Sequence, residues 1–308
     1  MAELCTLTFI KADGTEEVVT DTVKLTFRKD KYSSGSELAG KGIREGAAGE
    51  PVRVKLEAGG RLIHDGYFED GRQEMLGGRS VLSFTSKGFS HLLSQNEPVP
   101  GMNYQVDLAS LGALNTQIPG VTYESGTRTV SYISVKEHSS IWDAVSAYAM
   151  KAYGTQPYVL GTNTVSVSGA VGAARLYTGN MLISTGTLCD RRTMLSKAYM
   201  SDADGQYSEQ VSNTAALSAG IIREKYFQFD RQWLSSLNMG IRYRINRTVR
   251  RSDMSFIKVL GYRGEELFDS CTFSSGGTMT TLKIGSIEVV FEKGRAVSTF
   301  GQMNETEL

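Results

Sequence analysis

Residues 66–101 read GYFEDGRQEMLGGRSVLSFTSKGFSHLLSQNEPVPG. The segment leaves one β-strand through glycine-rich turns, runs along a second strand of alternating polar and apolar residues, closes with a short amphipathic helix, and stops at Pro98 and Pro100. No nucleophile, metal-ligand or phosphate-cradling pattern interrupts it. A stretch built only of turns, alternation and caps points to a part defined by its surfaces rather than by catalytic residues.

Outward from this segment the first third is strand-rich. Over 22–28, Val23, Leu25 and Phe27 alternate with Thr22, Lys24, Thr26 and Arg28, the period of a strand with one buried and one wet face. Val52, Val54 and Leu56 alternate with Arg53, Lys55 and Glu57 in the same way. The polar, glycine-rich residues 30–50 between them are too long for a hairpin turn. They are expected to project as a loop towards a neighbour and to be readily cut by protease.

The middle third changes character. A short helix is expected around 105–114 and a strand over 130–135. The clearest helix of the chain follows at 139–153, where Ile141, Trp142, Val145, Tyr148, Ala149 and Ala152 recur at helical spacing and place Trp142 on the buried face. Ser140 with Asp143 forms a capping-box pattern, Gly154 supplies a C-terminal cap, and Pro157 forbids continuation. With a strand over 164–168, this reads as a small α/β domain.

The last third returns to β-structure, with strands expected over 221–229, 256–260 and 283–291. A long helix capped by Asp230 would carry Leu234, Leu237, Ile241, Ile245 and Val249 on one face, and Arg244, Arg247, Arg250 and Arg251 on the other. The plainer reading of that basic face is a solvated surface rather than a nucleic-acid contact. Charge agrees, because 33 Lys plus Arg balance 33 Asp plus Glu and leave no net field to attract a polyanion.

A chain of 308 residues has room for two or three cored domains. Cys5, Cys189 and Cys271 are odd in number and widely spaced, and read as reduced thiols of a cytoplasmically made protein. Neither a secretory leader nor an apolar run of spanning length is visible. His64, His91 and His138 are isolated, so no metal site is expected. His64 beside Asp65 could be a base with its orienter, but without a nucleophile it reads as a locally bonded strand imidazole. Glu16–Glu17, Asp202–Asp204 and Glu265–Glu266 are too close in sequence to flank a scissile glycosidic bond, and read as solvated turn residues. No catalytic residue and no cofactor is therefore assigned.

The order of segments carries more than any one of them: VKLTFRKDKYSSGSELAG, VRVKLEAGGRLIHDGYFED, SKGFSHLLSQNEPVPG, SSIWDAVSAYAMKAYG, TNTVSVSG, GIIREKYFQFDRQW and KVLGYRGEELFD. In that order the chain resembles the baseplate hub proteins of contractile phage tails and phage-tail-like bacteriocins, the family of late control protein D. The resemblance implies an α+β, mainly β fold: a first tube-like antiparallel barrel over 1–97, a small α/β domain over 98–169, and a second barrel over 170–308. The helices would fall at 86–95 and 231–250. It implies three copies in a ring that adapts the sixfold tail tube to the threefold spike, with tape-measure and LysM-type tail proteins as further partners. Nucleic acid would be met only where the lumen passes phage DNA. It implies a protein made in the bacterial cytoplasm and built into the tail baseplate. Lys31, Tyr32, Lys41 and Arg44 of the expected loop, with Arg244, Arg247 and Arg251 of the helix, are the candidate assembly interface. Two other classes stay open. A peripheral carbohydrate- or receptor-binding tail protein would cluster exposed aromatics, whereas the aromatics here look spread at core-like spacing. A tail-associated cell-wall hydrolase would turn over cell wall.

Overall fold

The computed structural model describes residues 5–19, 21–44, 50–114, 117–275 and 277–303. Seven strands form the first third: β1 (Cys5–Lys11), β2 (Glu16–Val19), β3 (Asp21–Asp30), β4 (Glu37–Arg44), β5 (Pro51–Ala58), β6 (Arg61–Leu76) and β7 (Arg79–Gly88). The alternation seen in the sequence sends Leu25 and Phe27 of β3 and Val54 and Leu56 of β5 into the core, while Val23 and Val52 stay exposed. The β6–β7 hairpin is long and turns at Gly77 and Gly78, whose φ values of 57° and 78° match a tight two-residue turn.

Two expectations fail in this third. Residues 30–50 are not a projecting loop, because β4 occupies their centre and pairs with both β3 and β7. Its glycines serve close packing: a Cβ on Gly40 would lie 2.4 Å from Leu25 Cδ2. Residues 45–49 lie outside the described residues. The helix expected at 86–95 is strand up to Gly88, followed by a 3-10 turn over Phe89–Ser94.

The middle third contains β8 (Gly101–Val106), α1 (Leu108–Gly112), β9 (Thr122–Tyr123), β10 (Val130–Val135), α2 (Ile141–Tyr153), β11 (Tyr158–Leu160) and β12 (Thr164–Ser166). At the start of α2, Asp143 N donates to Ser140 Oγ at 3.1 Å and Ser140 N donates to Asp143 Oδ2 at 3.2 Å. Gly154 ends the helix at φ 68°. The buried stripe is Ile141, Ala144, Val145, Tyr148 and Ala149. Trp142 is only partly buried, against the expectation, because it sits one position round from that stripe. Gln105 belongs to β8, and the short helix starts later, capped by Asp107.

The last third holds β13 (Ala174–Tyr177), β14 (Leu182–Leu188), β15 (Lys197–Met200), β16 (Glu209–Ser212), α3 (Thr214–Ser218), β17 (Glu224–Phe227), α4 (Leu237–Val249), β18 (Met254–Leu260), β19 (Ser270–Ser275), β20 (Thr278–Lys283), β21 (Ser286–Glu292) and β22 (Arg295–Gln302). The continuous helix expected over 231–250 is broken. Asp230 caps only a 3-10 turn, Arg231–Trp233, and α4 begins afresh at Ser236, whose Oγ accepts from Met239 N at 3.2 Å. Leu234, expected on the apolar face, is exposed in the break, while Ile241, Ile245 and Val249 are buried.

The chain has the mainly β, α+β class expected. Its centre is an eleven-stranded antiparallel sheet, curled into a half-barrel, in the order β14-β18-β22-β21-β3-β4-β7-β6-β5-β1-β2. The β3–β21 ladder, with Phe27 opposite Val289, joins the first and last thirds in one sheet. Leu25, Phe27, Leu38 and Phe84 accordingly share a core with Val259, Val289, Phe291 and Phe300, over which the small sheet β13-β19-β20 adds Cys271 and Leu282. The middle third has its own core around Ile133, Ile141, Val145 and Tyr148. Residues 195–245 form a further cluster, in which Trp233, Ile241 and Ile245 pack on Ala198 and Met200 of the sheet β16-β15-β17. Among the described residues no helix is long and apolar enough to cross a membrane.

Candidate functional site

His64 sits near the start of β6, fully buried. Its Nδ1 lies 2.8 Å from Ser36 Oγ and its Nε2 lies 2.9 Å from Ser86 Oγ. Burial pushes its pKa down to about 3, so the ring is a neutral link between strands. Asp65 does not orient it. That carboxylate takes two hydrogen bonds from Arg53, both at 2.7 Å. Among the described residues no three His, Cys, Asp or Glu side chains are grouped to hold a metal ion.

The acidic pairs read as solvated turns divide. Asp202 does cap its own turn, accepting from Asp204 N and Gln206 N. Glu16 and Glu17 lie on β2, where Lys55 and Arg44 pair with them. Glu265 and Glu266 are structural. Glu265 is buried and accepts from Tyr177 Oη at 2.6 Å. Glu266 accepts from the buried Lys29 Nζ at 2.7 Å and from Gly161 N at 3.0 Å, tying β3 and the middle third to the last. Desolvation lowers the pKa of Lys29, and Glu266 partly offsets it.

The seven candidate interface residues do not form one surface. Arg44 is 3% exposed, with Nε 2.9 Å from Glu17 Oε1 and its guanidinium over Phe9. Lys31 is 8% exposed and Tyr32 lies beneath Arg250. Arg244 reaches Asp230 at 2.7 Å, Arg247 stands 3.8 Å from Asp143, and Arg251 reaches Asp30 at 2.7 Å. The basic side of α4 is thus partly solvated, with Arg247 and Arg251 exposed, yet each of these three arginines faces a carboxylate: Arg244 meets one in the turn before α4, Arg247 one in the middle third and Arg251 one in β3. Lys41, Arg247 and Arg251 are the exposed members of the seven, Lys41 standing opposite Lys24 on the polar face of the sheet.

Surfaces missed in the sequence are more open. The large sheet ends in β2 on one side and β14 on the other, each paired on one side only. Val18 of β2 and Ile183 and Leu188 of β14 are exposed. Between these edges, where the two thirds join, the polar face carries the pairs Arg28–Glu288 and Lys24–Glu292. On the sheet β16-β15-β17, Tyr199 and Tyr226 stack at 4.5 Å and Tyr207 stands edge-on to Tyr226 at 5.3 Å. Tyr226 is 60% exposed, so the aromatics are not all spread at core-like spacing. No local signal could reveal this cluster, because Tyr199 and Tyr226 meet only through parallel pairing of distant strands.

No protein-family model matches the sequence, and neither does any curated protein. Solved structures do match in fold. A tail protein from Neisseria meningitidis MC58 superposes with a TM-score of 0.71 at 12% identity, covering 98% of this chain and 97% of that one. The 43 kDa tail protein of prophage MuSo2 from Shewanella oneidensis gives 0.66 at 12% identity, covering 97% of each chain. An Escherichia coli component of the type VI secretion system, described as structurally similar to the T4 tail proteins gp27 and gp5, gives 0.59 at 7% identity over 93% of this chain and 74% of its own. The fold of this chain is therefore that of these phage-tail and type VI secretion system proteins.

Proposed function

We propose that this chain is a structural, non-enzymatic subunit of a tail baseplate, the hub at which three copies close a ring between the sixfold tail tube and the threefold spike. The observation that carries the reading is the shared sheet. Two β-rich thirds fused through β3–β21 present two unlike open edges, β2 and β14. Unlike edges on one subunit favour a head-to-tail contact, which closes into a ring when the rotation per subunit allows it. Assembly would also remove two exposed edges that otherwise invite aggregation. The fold likeness to tail proteins supports the same role. The tail tube and spike are the expected partners, and the baseplate of a virion or tail-like particle is its expected place.

Native mass spectrometry of the chain co-expressed with its spike and tube proteins tests this. Three copies per complex are expected, and Val18→Asp with Ile183→Asp should abolish the complex while leaving the monomer folded, since both side chains are exposed. A strictly monomeric chain with both partners present would overturn the hub role. One observation favours a second reading, a carbohydrate- or receptor-binding part: the tyrosine cluster of Tyr199, Tyr207 and Tyr226 offers the exposed aromatic rings that sugar recognition uses. Glycan binding lost in Tyr226→Ala would move that reading to first place.

A further inference from the structure

A cavity of about 330 Å³ opens where four segments meet: the turn after β3, the middle third from Met150 to Ala170, the last turns of α4, and Phe268 with Lys283. Lys31, Arg250 and Lys283 bring three cations to it, and Tyr32, Tyr158 and Phe268 supply aromatic walls. Among the described residues no aspartate or glutamate lines it.

Arg250 is the distinctive member. The other three arginines of this helix end each face a carboxylate, Arg244 at Asp230, Arg247 at Asp143 and Arg251 at Asp30. Arg250 has no carboxylate within 4 Å among the described residues and lies instead over the ring of Tyr32, 4.1 Å from its centre. Asp30 is near enough to act on it through space, but its oxygens are occupied by Tyr32 N at 2.8 Å and by Arg251. Burial pulls the pKa of Arg250 down to about 10. Removing a guanidinium from water without an acid to meet it is costly, and the carbonyl end of α4 offsets only a small part of that. An incoming carboxylate would find the desolvation already done and a planar fork to receive both of its oxygens. The volume lies at the small end of ligand cavities, enough for a carboxylate on a short carrier.

We propose that this cavity is a carboxylate-binding site, with Arg250 as the fork and Lys283 as the flanking cation. The carrier is either a free small acid or an acidic segment of a partner protein. The site belongs to the single chain, so it stands or falls separately from ring assembly.

Calorimetric titration of the full chain decides it, with three probes: glutarate, the capped peptide Ac-Gly-Glu-Glu-Gly-NH2, and its Gln-Gln counterpart. One-to-one binding of an acidic probe is expected, weakened at least about tenfold by Arg250→Gln, partly restored by Arg250→Lys, and unchanged by Arg242→Gln on the exposed side of α4. The peptide binding more tightly than glutarate marks a protein segment, and the reverse marks a free acid. Circular dichroism checks that the variants are folded. Should Arg250→Gln fail to fold, Lys283→Gln at the exposed rim carries the test with a smaller loss. The proposal is overturned if neither acidic probe binds at about 10 mM, if the Gln-Gln peptide binds as tightly, or if Arg250→Gln binds like the parent.

Discussion

The large sheet and the unit over residues 195–250 are held by different physics. The sheet is fixed mainly by register and hydrocarbon: Phe9, Leu25, Phe27, Leu56 and Phe300 are at most 2% exposed, and the pairs Arg28–Glu288 and Lys24–Glu292 across its central ladder stand on the half-exposed polar face. The helical unit has a smaller core around Trp233, is braced internally by Arg244 on Asp230, and is fastened to the rest of the chain by charges: Asp230 with Lys136, Arg247 with Asp143, and Arg251 with Asp30. Apolar burial has no charge for salt to screen, whereas partly exposed ion pairs weaken with it. The sheet should therefore behave as one cooperative body and the helical unit as a part that can loosen first.

The strongest way to break this comparison is at Phe27, which lies on the strand joining the two thirds. Phe27→Ala should cost about 3 to 5 kcal/mol, read as a lower urea midpoint, and should lower it equally for probes in β5 and in β22. A loss confined to the first third would mean that the two thirds do not share one core.

A second, smaller effect depends on pH. His64 has a folded pKa of about 3 against an ordinary value of 6.5. The unfolded chain therefore takes up the proton first, and stability is full above pH 6.5 and falls as the pH drops towards 3. Between pH 6.5 and 5 the loss from this group is about 2 kcal/mol. His64→Gln should flatten the slope of stability against pH over that window, whatever it does to stability at pH 7. Parallel slopes for the parent and the variant would sink the assignment.

The contrast also explains what the sequence disclosed. The alternating cores of β3 and β5 were legible because burial on one face imposes period two on neighbouring residues, and the caps of α2 were legible because Ser140, Asp143 and Gly154 act within one turn. Strand β4 was hidden because its glycines, required where Leu25 and Phe84 crowd the backbone, imitate a loop. The break at residues 234–236 was hidden because Leu234 continues the helical spacing while its side chain points to solvent. The candidate interface was the least legible part. Whether Arg44 or Arg251 faces a partner or an internal carboxylate depends on Glu17 and Asp30, residues that only the fold brings near.

Third in size is Asp230, 5% exposed in its side chain and held by Lys136 and Arg244, both at 2.7 Å. Those cations are themselves 46% and 29% exposed, so solvent moderates the loss. Asp230→Asn should cost about 1 to 2 kcal/mol and should speed hydrogen exchange in α4 and β15 while leaving β3 and β21 unchanged. Added salt should narrow the difference between parent and variant. Exchange that rises evenly over both regions would show that the helical unit is not separately held.

The smallest effect is expected at Arg247, and it separates clamp from interface. Its Nη1 stands 3.8 Å from Asp143 Oδ1, with the two side chains 46% and 49% exposed, and it donates to Tyr243 Oη at 3.2 Å. A pair that long and that wet contributes no more than about 0.5 kcal/mol, so Arg247→Gln should leave the urea midpoint nearly unmoved. Arg251 cannot serve the same purpose, because its partner Asp30 is only 16% exposed and would be left without its cation. With folding untouched, any loss of the three-copy complex in Arg247→Gln must come from contacts outside the chain. An unchanged complex would confine assembly to the sheet edges and leave the arginines of α4 as internal fasteners.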